Sequence, residues 1–158
     1  MKPLLNLFAI FFVFNLSSQN IPNTELKTLD GKTTNLQEIA QNNNLIIVSL
    51  WATWCAPCKN ELDAINDEYD DWVEETGVKL FAISVDDSRT VKRVKPMVNG
   101  KGWEFEILLD TNSDLKKALG APTVPVTLII KNGKIVFRHS GYNPGAEDDL
   151  FEELKKHI

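Results

Sequence analysis

The chain has 158 residues, of which 43% are hydrophobic and 25% charged. That is enough for one domain with a real core and too little for two ordinary ones. A net charge of −5 with no basic stripe excludes the usual nucleic-acid binder, and neither a repeat nor a low-complexity tract interrupts the chain.

The first segment is not expected to belong to the fold. Lys2 is followed by an uncharged run from Leu4 to Leu16, then by "NLSSQN". A cationic start, a short apolar stretch and small residues are the layout of a secretory signal, with a cut near Ser18. The run is shorter than the roughly 20 residues a bilayer span needs. The organisation expected is therefore 1–18 signal peptide and 19–158 a single domain, periplasmic or otherwise exported in a bacterial-type cell. A signal left uncleaved would act as a membrane tether.

The mature chain opens with two short alternating stretches around Asp30-Gly31 within 24–39, which predict a hairpin leading into a helical turn. "LIIVSLW", 45–51, is a continuous apolar run rich in β-branched residues, as in a strand buried on both faces. The two cysteines, Cys55 and Cys58, follow at once. Leu62, Ile65, Tyr69, Trp72 and Val73 then recur at helical spacing until Gly77. A second buried strand is predicted over 78–86, then a helix ended or kinked at Pro96. A third strand over 105–110 and a short helix over 113–120, capped by Ser113 or Asp114, come next. A strand over 124–130, the turn Asn132-Gly133 and a strand over 134–140 form a hairpin. A helix over roughly 144–157 closes the chain. Alternation predicts a parallel portion, and the late hairpin adds antiparallel strands, giving an α/β fold with a mixed central sheet flanked by helices.

The chemistry concentrates in "LWATWCAPCKNEL", 50–62. Cys55 sits where a buried strand gives way to a helix. Unpaired N–H groups and the helix dipole favour an anion there. A thiol titrating near about 8.5 falls to about 3.5–7.5 in such places. Cys58, three residues on, lies on the same helical face. The pair can therefore attack a disulfide and then resolve the mixed intermediate. Pro57 stiffens the first turn, where no N–H is needed. Trp51 and Trp54 offer flat apolar walls to a partner chain. Three other readings use the same residues. Zinc needs about four ligands, and only His139 and His157 could join the sulfurs. Copper could take both sulfurs and His139. An inert staple gains little, because a two-residue gap closes almost no loop.

"WCAPCK" followed by "VPVTLII" resembles the thioredoxin superfamily. More narrowly, the chain is similar to exported thiol-disulfide oxidoreductases of the TlpA/ResA type, in the redoxin/AhpC-TSA group, from about residue 22 to the C-terminus. The resemblance implies a thioredoxin-like fold with an extra N-terminal hairpin, "ELKTLDGKTTNLQEI". It implies that Cys55 attacks and Cys58 resolves, forming a redox-active disulfide without metal or cofactor. It also implies a cis bond between Val124 and Pro125 facing the dithiol, with Pro122 an ordinary trans proline, and Glu61 as the acid that tunes the cysteine pair. Ser49 stands where thioredoxin itself carries a buried aspartate, and a serine cannot act as a carboxylate base. Ala52, where peroxiredoxins carry a threonine, departs from that branch. The function implied is reduction of partner-protein disulfides, such as those of apocytochrome c or copper-site cysteines, with a membrane thiol donor supplying electrons. A copper-binding chaperone of the same fold and a redox-idle interaction module remain the alternatives.

Overall fold

The computed structural model describes residues 20–158, so the signal-peptide expectation lies outside the described residues. Seven strands form one sheet in the order β2-β1-β5-β4-β3-β6-β7. Its elements are β1 (Glu25–Thr28), β2 (Thr33–Asn35), α1 (Leu36–Asn42), β3 (Leu45–Trp51), α2 (Ala56–Thr76), β4 (Lys79–Ser84), α3 (Val94–Lys101), β5 (Glu106–Leu109), α4 (Asp114–Ala118), β6 (Val126–Lys131), β7 (Lys134–Ser140) and α5 (Ala146–Lys155). The β1–β2 hairpin joins the sheet through antiparallel pairing of β1 with β5.

All seven residues of β3 are buried. The strand lies inside the sheet, parallel to β4 and antiparallel to β6. Both its faces are covered, which is why its sequence is apolar throughout rather than alternating. In α2 the buried positions Cys58, Glu61, Leu62, Ile65 and Trp72 form one stripe. Gly77 closes that helix in the left-handed region at φ 68°, its N–H bonded to the Val73 carbonyl at 2.8 Å. Asn132 and Gly133, at φ 50° and 74°, make the tight turn between β6 and β7.

Three expectations need correction. Pro96 does not end a helix. A 3-10 turn at Val91–Arg93 leads into α3, and Pro96 stands in the first turn of that helix, where its missing N–H costs nothing. Ser113 precedes α4 but gives no side-chain cap. Asp110 supplies it instead, accepting from the N–H groups of Leu115 and Lys116 at 3.2 and 2.9 Å. Trp51 offers no wall to a partner, because it is wholly buried, edge-on to Trp103 at 5.0 Å.

Candidate active site

The end of β3 and the start of α2 build the site. Ala52 to Cys55 form a turn closed by the Cys55 N–H on the Ala52 carbonyl at 3.0 Å. Cys55 is the N-cap of α2, in extended backbone, and its Sγ accepts the N–H of Cys58 at 3.3 Å. Sulfur thus occupies the place where helix N–H groups converge, and those groups would stabilise a thiolate there. Pro57 lies in the first turn of α2 and is exposed, and Trp54 is 60% exposed beside the cysteine. Cys55 and Cys58 are joined as a disulfide with Cα atoms 5.3 Å apart, so the site is described in its oxidised state. Both cysteines are buried, Cys55 less completely than Cys58.

Across from the disulfide, the Val124–Pro125 peptide is cis. The Val124 carbonyl oxygen lies 3.7 Å from Cys55 Sγ. Pro125 is buried and Val124 half-buried, while Pro122 is exposed. The loop before β6 thereby brings a backbone acceptor to the sulfur that heads α2.

Glu61 is one helical turn beyond Cys58 and only 3% exposed. Its Oε2 accepts the Ser49 hydroxyl at 3.1 Å and its Oε1 accepts the Thr127 hydroxyl at 2.6 Å. Ser49 and Thr127 are register partners on β3 and β6, so their side chains leave the sheet side by side. Burial pushes the Glu61 carboxyl up to about 7. The two hydroxyls pull the other way, and the negative charge of Glu147 adds to the rise.

Thr127 was not singled out from sequence, because only the pairing of β6 with β3 carries it to Glu61. Asp86 was missed as well. It is fully buried and accepts from both the N–H and the hydroxyl of Thr53, two residues before Cys55. No group of three or more His, Cys, Asp or Glu side chains placed to hold a metal occurs among the described residues. His139, the ligand copper would need, therefore does not join the two sulfurs in such a group. It lines a groove between β7 and α5 with Thr127, Phe137 and Asp149.

A mixed sheet with a CxxC disulfide at the junction of a central strand and a helix defines a thioredoxin-like thiol-disulfide oxidoreductase. The sequence profile of the AhpC/TSA family matches residues 18–138, and the chain belongs to that family. It is similar to the thiol-disulfide oxidoreductase ResA of Bacillus thuringiensis subsp. konkukian, 28% identical over 136 residues that cover 85% of this chain and 75% of that one. A thioredoxin-like protein of Porphyromonas gingivalis, solved in solution, superposes with a TM-score of 0.78 at 40% identity, covering 87% of this chain and 91% of that one. StoA of Bacillus subtilis superposes at 0.67 with 25% identity, covering 84% and 96%.

Proposed function

We propose that this protein is an exported reductase of partner-protein disulfides. The observation that carries the reading is the Cys55–Cys58 disulfide at the head of α2, with Val124 on one side and the buried Glu61 behind.

Cys55 is the attacking residue. Its thiolate attacks one sulfur of a substrate disulfide and expels the other as a thiolate, giving a mixed disulfide. Cys58 then loses its proton to Glu61 and attacks Cys55 Sγ, expelling the second substrate thiolate. The substrate gains two electrons and the Cys55–Cys58 pair is left oxidised. Trp54 and the Val124 carbonyl hold the incoming chain, Pro125 shapes the loop that presents that carbonyl, and Pro57 keeps the first helical turn rigid. No cofactor takes part. A thiol donor at the membrane must reduce the disulfide again before the next cycle. Substrates of the class of apocytochrome c or of cysteines in copper sites fit this direction, and the protein would then serve cytochrome c biogenesis or a related assembly route. Residues 1–18 form the signal peptide, cut near Ser18, and residues 19–158 the domain that works in the periplasm.

Trapping tests the assignment. A Cys58→Ser variant accumulates mixed disulfides with its partners through Cys55, and added dithiol releases them. Retention of full exchange activity in Cys55→Ser would show that another group attacks.

A further inference from the structure

Asp86 follows β4, thirty-one positions beyond Cys55 in sequence, yet its carboxylate is built into the active-site turn. Its Oδ2 accepts the Thr53 N–H at 2.8 Å and the Ser84 hydroxyl at 2.8 Å, and its Oδ1 accepts the Thr53 hydroxyl at 2.6 Å. A carboxylate with no solvent exposure is tolerated only where such donors compensate it. Here they come from two places. Ser84 is the last residue of β4 and pairs in register with Trp51 at the end of β3. Thr53 is a central residue of the turn from Ala52 to Cys55, and the other central residue is the exposed Trp54. Both donors of Thr53 therefore go to one side chain outside the turn. The Val85 N–H on the Trp51 carbonyl at 2.8 Å adds a second strut between the same two segments.

We infer that Asp86 is a positioning residue of the dithiol site: through Thr53 it fixes the turn that presents Trp54 and sets Cys55 at the head of α2. The inference rests on the reading of Cys55 as the attacking thiol. Two consequences separate it from simple support of the fold. A side chain that only stabilised the fold would change the fraction of folded protein and leave each folded molecule fully active. One that places Trp54 and Cys55 changes the rate constant per folded molecule. It also raises KM for a protein substrate, which meets Trp54, more than for a small disulfide, which needs only the sulfur.

The test uses the full chain, reduced, with insulin as protein disulfide and hydroxyethyl disulfide as small one. Rates are expressed per folded molecule, counted by circular dichroism and by titratable thiols. Asp86→Ala and Thr53→Val are expected to lower kcat/KM for insulin by about 10-fold or more, with KM raised, since small misplacements of reacting groups are costly. Hydroxyethyl disulfide is expected to lose less. Thr53→Ser keeps both donors and is expected to restore the rate. Asp86→Asn is expected to restore it too, because its amide oxygen still accepts the Thr53 N–H while the hydroxyl turns to accept. If Asp86→Ala does not fold, Thr53→Val carries the test, since it keeps the backbone bond and removes only the hydroxyl. Native KM and rate per folded molecule in Thr53→Val would overturn the inference. Cys55→Ser in the otherwise native chain separates the two claims. Activity retained there removes the reading of Cys55 itself. An inactive Cys55→Ser beside an unaffected Thr53→Val removes the role of Asp86 alone.

Discussion

On the proposed reading, the buried Glu61 couples the dithiol to pH. An acid whose carboxyl is raised from 4.5 to about 7 on folding binds more protons folded than unfolded over that range. Its contribution is therefore neutral at acid pH, and stability falls as pH rises through about 7, by about 3 kcal/mol once the group is fully charged. Glu61→Gln removes that penalty, and the hydroxyls of Ser49 and Thr127 can turn to suit the amide. Urea unfolding of the oxidised protein should show the native chain losing more stability between about pH 4.5 and pH 8 than Glu61→Gln does, the difference between the two curves being the Glu61 contribution. In the reduced protein the same carboxylate repels a second negative charge, so Glu61→Gln should lower the apparent cysteine pKa values. Stopped-flow resolution of a Cys55 mixed disulfide should quicken as pH rises through about 7 in the native chain. The variant should resolve slowly without that inflection while attack by Cys55 stays near native. Sequence put Glu61 on the right face, because 58, 61, 62, 65, 69 and 72 fall on one helical stripe. It did not reveal the depth of burial, nor Thr127 and Asp86, because these partners arrive through strand pairing between segments far apart in the chain.

Elements were most legible where their own residues determine them. The run 45–51 is wholly apolar and becomes β3, and Gly77 and Asn132-Gly133 stop or turn the chain where only left-handed backbone will do. They were least legible where a neighbour supplies the missing piece. The cap of α4 is such a case: Ser113 stands at the capping position but makes no side-chain cap, and Asp110 reaches forward to take two helix N–H groups. Asp110→Ala should therefore destabilise the domain by about 1 kcal/mol. Ser113→Ala should stay within about 0.5 kcal/mol of native, as for a side chain without a special contact. Paired unfolding curves check this, and a larger loss in Ser113→Ala than in Asp110→Ala would return the cap to the serine. Pro96 teaches the same lesson: a proline in a helical pattern marks a boundary, but only the packed structure shows that it stands in a first turn rather than a last one.

For the whole molecule, alternation of strands and helices was sufficient to foresee the parallel part, and the turn chemistry foresaw both hairpins. The sheet order was not foreseen in full, since nothing local tells β1 to join β5 rather than another edge. The direction of electron flow is likewise a property of the whole, set by the difference in stability between dithiol and disulfide forms of the entire domain, of which Ala56 and Pro57 are a small part. About 30 mV of that difference corresponds to about 1.4 kcal/mol. Whether the Cys55–Cys58 pair works as a reductant is decided by equilibrating the protein with glutathione buffers and measuring its reduction potential. A reductase should lie near the thioredoxin level of about −270 mV, and a value near about −120 mV, the level of the strong oxidant DsbA, would show an oxidase instead.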